Sequence, residues 1–379
     1  MAGNLTAARA AAASPPGSVI RRDAERVALV LRSLLQRLSG TTLLVTGGSG
    51  FLCSYLFETV ASFNDTSGVP PCRMLCVDNL KSGVATRVAH LLGRSDFRFI
   101  EHDASQPLNL DEDVHWIVHG ASIASPTLYR LYPLETIDVN VAGTRHMLDL
   151  ARRRGVQSIL YLSSSEIYGN PPPECIPTPE TYLGAVSCTG PRACYDESKR
   201  VGETLCGVYH RLHSLPVKTV RPFNVYGPGL RLDDKRVIPD LMSDALAGGP
   251  LTIFSNGLAT RSFCYVSDAI QAMWHVLLSS HDGEVFNVGN DAEEVTVAQV
   301  AARMQQVAGA PALEIEYRRS PDADYLTDNP DRRCPDLTKM RRTFEWSPHV
   351  SLTDGLSRTL AHYRELQGRR FDADKGRGV

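Results

Sequence analysis

Thr42-Leu43-Leu44-Val45-Thr46-Gly47-Gly48-Ser49-Gly50-Phe51-Leu52-Cys53 decides the fold of this 379-residue chain. A short β-prone apolar run passes directly into a glycine turn, and a helical pattern follows to about residue 63. Strand, glycine turn and helix in that order form the phosphate-binding opening of a dinucleotide-binding unit. Gly47 permits the tight turn, and Gly50 lets the backbone approach a pyrophosphate. The helix beginning at Phe51 and Leu52 then presents unpaired N–H groups to the anion. Cys53 stands where a third glycine allows close packing of helix on strand; a thiol is small, so only a slight displacement is expected.

Working outward, residues 73–77 read as a second strand ending in Asp78-Asn79. A carboxylate there accepts hydrogen bonds from the adenosine ribose and repels a 2′-phosphate, so the cofactor expected is NAD rather than NADP. Residues 97–100 read as a third strand leading to His102-Asp103, where the Asp103 carboxylate can meet the adenine amino group. Residues 116–119 form a fourth, running into the small residues Gly120-Ala121-Ser122. A helical pattern over 133–153, containing Asn140, precedes a strand at 158–162. This alternation predicts an α/β fold with a doubly wound parallel Rossmann sheet.

The chain is long enough to bury a substantial core as one large domain or one domain with a smaller lobe. Hydrophobic residues make up 43% of it and the formal net charge is -2. No polybasic footprint points to nucleic acid, and no apolar run approaches the ~20 residues needed to cross a bilayer. The nine cysteines are scattered without a Cys-x-x-Cys pair. They read as reduced thiols of a cytoplasmic protein, and no metal site is expected. Residues 1–18 read as a flexible Ala/Ser/Gly/Pro tail. Residues 20–38 read as an amphipathic helix with Val27, Leu29, Val30, Leu31, Leu34, Leu35 and Leu38 as its apolar stripe, packed on the body or on a partner subunit.

The strand ending at Leu162 runs into Ser163-Ser164-Ser165-Glu166-Ile167-Tyr168-Gly169. Ligands of open α/β sheets sit at the carboxyl ends of strands, so these groups stand where chemistry would be. Residues 170–191 read as a loop over the cleft. Arg192-Ala193-Cys194-Tyr195-Asp196-Glu197-Ser198-Lys199-Arg200 then opens a helix on which Tyr195 and Lys199, four apart, share a face. A free tyrosine has a pKa near ~10 and is a poor base, but a neighbouring cation favours the phenolate. Lowering it to ~7 takes about 4 kcal/mol, which Lys199 and a bound nicotinamide cation can share.

After a strand at 217–220 come Arg221-Pro222-Phe223-Asn224-Val225-Tyr226-Gly227-Pro228, a helix at 237–247 and a strand at 251–254. Arg261-Ser262-Phe263-Cys264-Tyr265-Val266-Ser267-Asp268 opens another helix; a strand at 284–289 and helices at 297–308 and 351–366 follow. The organisation expected is a tail and helix over 1–39 and a dinucleotide-binding domain over 40–222, with later returns near 255–290. A smaller substrate lobe occupies mainly 223–366, and a frayed tail 367–379.

Taken in order over about residues 40–366, these motifs resemble the extended short-chain dehydrogenase/reductases that act on nucleotide sugars. Within that superfamily, Gly190-Pro191-Arg192 through Arg200, Ser164-Ser165-Glu166 and Thr260-Arg261-Ser262-Phe263 resemble the UDP-glucuronate decarboxylases, also called UDP-xylose synthases. Sugar-nucleotide 4,6-dehydratases carry an Asp-Glu pair where this chain has Ser165-Glu166, so dehydration ranks below decarboxylation. A 4-epimerase of UDP-glucuronate needs the same first oxidation and stays open, as does a non-catalytic dinucleotide-binding regulator.

The resemblance implies a UDP-sugar substrate and NAD recycled within each turnover. It makes Tyr195 the base, places Lys199 on the nicotinamide ribose and Ser164 on the sugar 4-oxygen, and gives Glu166 a part in returning a proton through water. Arg192 would stand near the sugar carboxylate, Asn224 at the diphosphate and Arg261 at the pyrophosphate or sugar. Arg231 and Lys235 are loop cations that could face the nucleotide, and Arg332-Arg333 is a more remote basic pair. The resemblance also implies a homodimer built on the helices near 133–153 and 192–212.

Overall fold

The computed structural model describes residues 18–309, 313–320, 327 and 329–375. Of the tail expected over residues 1–18, residues 1–17 lie outside them, as do residues 376–379. Ser18 is already part of the structure, capping the first helix by accepting from the Arg21 N–H at 3.3 Å.

Seven parallel strands form the central sheet: β1 (Thr42–Thr46), β2 (Arg73–Asp78), β3 (Phe97–Glu101), β4 (Trp116–His119), β5 (Ser158–Leu162), β6 (Val217–Pro222) and β7 (Val285–Val288). Their order across the sheet is β7-β6-β5-β4-β1-β2-β3. Every residue of β1, β4 and β5 is buried, because helices cover both faces of a parallel sheet and leave its central strands no wet side. The order reverses at β1 and β4, which opens a crevice at their carboxyl ends.

The main helices are α1 (Val19–Val30), α2 (Phe51–Thr66), α3 (Pro133–Asp138), α4 (Thr144–Arg154), α5 (Ala193–His213), α6 (Val237–Ala247), α7 (Val266–Leu277), α8 (Val297–Ala308) and α9 (Leu352–Lys375). The single helix expected over 133–153 is split by a π-turn at Val139–Gly143. There the Asn140 side-chain amide donates to the Ser198 hydroxyl at 2.9 Å. At the other end, α9 runs to Lys375.

Short ladders flank the cleft beyond the main sheet. Leu251–Ile253 pairs with Ile315–Tyr317, and Thr260–Ser262 lies between Glu294–Thr296 and Arg332–Arg333. The loop over 170–191 does not line the cleft; it packs against the ends of β6 and β7, where Glu180 accepts from the Asn287 N–H at 2.8 Å.

The amphipathic N-terminal segment breaks into α1, a short turn of helix at Arg32–Leu35 and a 3-10 turn at Gln36–Leu38. Val27, Leu31, Leu35 and Leu38 are buried, as expected. Leu29 and Val30 are not, at 70% and 61% exposed. The buried stripe is completed by Ala24 and Ala28, one turn apart, and α1 packs mainly on α2.

Candidate active site

At the β1/β4 crevice, a cavity is lined by Gly47, Gly50, Asp78, Asn79, Asp103 and Ser122 among others. The glycines are sterically required. A Cβ on Gly47, whose φ is 67°, would lie 2.8 Å from the Ala121 backbone, and one on Gly50 would lie 2.8 Å from the Gly47 carbonyl. Gly50 caps α2 without a side-chain bond, so the first N–H groups, those of Phe51 and Leu52, remain available. Their side chains are half-buried against the core instead of lining the cavity. Cys53 fits because its neighbour yields: a Cβ on Gly120 would fall 2.4 Å from the Cys53 sulfur.

Asp78 closes the far wall of this cavity. Its Oδ2 accepts from the Ser49 N–H at 3.0 Å and the Ser49 hydroxyl at 2.6 Å, and its Oδ1 from the Leu80 N–H at 2.8 Å. Asn79 donates to Asp103 at 3.2 Å, bringing both together at one end of the crevice. A glycine cradle at a helix start, a carboxylate at the end of the adjacent strand and a buried, unpartnered Ser122 hydroxyl fit a dinucleotide.

α5 carries the next group. Asp196 in its first turn and His210, Arg211 and His213 in its last turn complement the helix dipole. Tyr195 is buried, hydrogen-bonded to the Ser164 hydroxyl, and stacked on Tyr129 with ring centroids 5.1 Å apart. Ser164 also accepts from the Glu166 N–H at 3.2 Å, capping the 3-10 turn Ser165–Tyr168. Lys199 donates to the Leu162 carbonyl at 2.7 Å, with its nitrogen 5.8 Å from the Tyr195 ring centre.

The electrostatics here depart from the sequence expectation. Burial raises the Tyr195 phenol to about 12 and lowers the Lys199 ammonium to about 7. Desolvation penalises both charges, and the lysine is aimed at a carbonyl rather than the phenol. The protein alone therefore holds Tyr195 protonated, and activation of the phenol needs a further positive charge.

Glu166 differs more. Arg192 and Arg333 converge on it, with Arg333 Nη2 at 2.9 Å from Oε2. Burial opposes ionisation, but the two guanidiniums override it and hold the carboxyl down at about 2. Glu166 is thus an acceptor at neutral pH, so a proton returned by way of it has to come through the water it binds. Arg192 likewise meets a protein carboxylate in this structure.

Glu166, Arg192 and Arg333 line a second, larger cleft with Tyr129, Asn224, Lys235 and Arg261. Asn224, in a left-handed conformation at φ 39°, is fixed by donating to the Ser262 carbonyl at 3.0 Å. Arg261 is buried and bonded to the Thr260 and Asp331 carbonyls at 2.7 and 3.2 Å and to Asn329 at 3.0 Å. Burial, with Arg333 nearby, lowers it to about 10. Arg231 does not join this group: Asp233 takes both ends of its guanidinium, at 2.8 and 2.6 Å, and it is not among the lining residues. Arg333, which the sequence places only in a remote basic pair, is the added member of the site, and pairing of its short strand with Arg261 is what delivers it.

The model of the NAD dependent epimerase/dehydratase family matches residues 43–289. UDP-glucuronic acid decarboxylase 1 of Arabidopsis thaliana is 36% identical over 89% of this chain and 72% of that protein. UDP-glucuronic acid decarboxylase 5 of Arabidopsis thaliana is 37% identical over 84% of this chain and 88% of its own length. Among solved structures, a UDP-glucuronic acid 4-epimerase from Bacillus cereus in complex with UDP-glucuronic acid and NAD superposes with a TM-score of 0.71. It is 26% identical over 86% of this chain and 100% of that one. A dTDP-glucose 4,6-dehydratase from Bacillus anthracis in complex with NAD gives 0.72, at 26% identity over 86% and 97%.

Proposed function

This chain belongs to the NAD dependent epimerase/dehydratase family, and from that premise we propose that it converts UDP-glucuronate to UDP-xylose and carbon dioxide. The observation that carries the reading is the meeting of Arg192 and Arg333 on Glu166 in the cleft whose wall includes Tyr129, stacked on Tyr195. Cations placed next to a potential base suit a sugar that bears its own carboxylate. The decarboxylase names of relatives 36–37% identical support the same substrate.

Gly47, Gly50, Asp78, Asn79, Asp103 and the N–H groups of Phe51 and Leu52 would hold NAD, with Tyr195 and Lys199 at its reactive end. Bound NAD supplies a hydride acceptor for C4 of the sugar and gives the hydride back at the end of the turnover. Tyr195 as phenolate takes the 4-hydroxyl proton, and Ser164 holds the same oxygen. The ketone at C4 lies β to the carboxylate, so carbon dioxide can leave with its bonding electrons passing into an enolate. The Tyr195 and Ser164 hydroxyls stabilise that enolate. C5 then gains one proton from solvent. Glu166, ionised down to about 2, orients the water that carries it and does not itself supply it. Arg333 and Arg192 orient the sugar carboxylate, while Asn224 and Arg261 hold the diphosphate.

The division into a dinucleotide domain over about 40–222 and a substrate lobe beyond it is part of the proposal. So is a homodimer, supported by the exposed Leu134 (72%) on α3 and Leu212 (72%) and Val201 (41%) on α5. A cytoplasmic location rests on cysteine usage alone.

Incubation with UDP-glucuronate and NAD in heavy water tests the chemistry. Carbon dioxide together with UDP-xylose carrying one deuterium at C5 is the expected result. UDP-galacturonate without gas would make the protein a 4-epimerase, and an unchanged substrate would leave it without this activity.

A further inference from the structure

Glu203 lies one helical turn beyond Lys199 on α5, and its carboxylate is fully engaged. Arg221 from β6 grips both oxygens, Nε to Oε1 at 2.9 Å and Nη2 to Oε2 at 2.6 Å. The Ser163 hydroxyl donates to the same Oε1. Arg221, only 8% exposed, also donates to the Tyr168 hydroxyl at 2.7 Å and to the Glu180 carbonyl at 3.0 Å. Tyr168 donates in turn to Asn287 on β7 at 2.7 Å. Burial works against the guanidinium, but Glu203 overrides it and keeps Arg221 above its ordinary value.

A buried ion pair is weak evidence of stabilisation, since an apolar pair of the same volume often serves as well. Its location is more informative. Two consecutive residues at the end of β5 are tied to α5 by two rungs: the Leu162 carbonyl takes Lys199, and the Ser163 hydroxyl meets Glu203. Ser164 is the next residue.

The groups facing Lys199 are Tyr195, Cys206 and Glu203 on its own helix, Tyr161 on β5 at 5.2 Å, His119 on β4 and Cys53 on α2. Burial pushes the thiol of Cys53 up to about 12 and the imidazole of His119 down to about 3. It also raises Tyr161 and Cys206 well above their ordinary values. These four are neutral at physiological pH, which leaves the Glu203 carboxylate as the acidic group facing the lysine.

We propose that Glu203, oriented by Arg221, is a positioning residue that keeps Lys199 an ammonium and fixes the strand end carrying Ser164. The inference rests on Tyr195 and Lys199 acting as described above, and it deepens that reading by naming what holds them in register. The Lys199 ammonium is charged at neutral pH only to the extent that nearby negative charge offsets its burial. Replacing Glu203 by a neutral amide leaves Arg221 unbalanced behind the lysine, which disfavours the ammonium further.

The test uses the full chain loaded with NAD. In Glu203→Gln the alkaline limb of the kcat–pH profile should move down by about one unit, with kcat falling about tenfold or more while KM for UDP-glucuronate stays within about threefold. NMR titration of labelled lysine, run without substrate, should show the same downward shift for Lys199. In the double variant Glu203→Gln/Arg221→Gln the titration should return toward the parent value while kcat remains low, because charge balance is restored and the rung is not. An unmoved lysine titration in Glu203→Gln overturns the proposal, even if thermal stability falls. Where Glu203→Gln does not fold, Ser163→Ala cuts the rung alone: reduced kcat at unchanged lysine titration is expected, and unchanged kcat overturns the positioning role. Failure of the parent protein to release carbon dioxide would overturn the proposed function, while the substrate-free titration would still judge Glu203.

Discussion

Glu166 sits in contact with two guanidiniums, and its behaviour with pH follows from that contact. Its folded-state value of about 2 lies below the ordinary 4.5, so the ion pairs stabilise the fold fully above about 4.5 and lose their contribution as pH falls from there toward 2. Glu166→Gln should therefore lower Tm more at pH 7 than at pH 3, measured by thermal denaturation at both. It should also lower kcat at least about a hundredfold, since the amide neither balances the arginines nor orients water in the same way. At this scale the sequence was partly legible. Tyr195 and Lys199 could be placed on one face because four residues of helix separate them. Glu166 could be placed at a strand end by its local motif. Its partner Arg333 lies 167 positions away, joined to the site by a two-residue strand pairing whose register no local pattern encodes. The charge state of Glu166 was illegible for the same reason.

At the scale of elements, β1, the glycine turn and α2 were readable because each is specified locally: by a run of strand formers, by glycines a Cβ would obstruct, and by an uncapped helix start. The apolar stripe expected for the N-terminal segment is too wide. Its apolar residues Leu29 and Val30 are consecutive with Leu31, and counting all three as one stripe hid the small residues Ala24 and Ala28, which are the ones buried. Substitution tests the observed phase. Leu35→Ala, at a side chain with no exposure, should cost about 2–5 kcal/mol of unfolding free energy. Leu29→Ala, at 70% exposed, should change it by no more than about 0.5 kcal/mol. Urea denaturation of both variants reads the difference, and equal losses would mean that the N-terminal segment packs by another face. The π-turn in the middle of the helix pair had no sequence signature: a tertiary bond from Asn140 to Ser198 accompanies it, and no local breaker marks it.

Over the whole molecule, strand order brings the site together. β1 and β4 part at the reversal of the sheet, β2 and β3 supply Asp78 and Asp103 on one side, and β5 supplies Ser164 and Glu166 on the other. On the proposed function, choice between the two common nicotinamide cofactors rests on Asp78. Its Oδ2 already accepts from Ser49, which fixes the carboxylate at the end of β2, and a fixed anion both accepts from a ribose diol and repels a phosphate in the same place. Asp78→Ser removes the charge while keeping a small polar group. Loss of charge-assisted hydrogen bonds worth roughly 1.5–3 kcal/mol corresponds to about a ten- to hundredfold rise in the Kd for NAD. The Kd for NADP should fall or stay level, because the repulsion is gone, so the NAD/NADP preference narrows from both sides. Calorimetric titration of each cofactor into parent and variant measures both terms. Equal weakening for the two cofactors would show that Asp78 supports the turn around Ser49 and does not discriminate at the ribose.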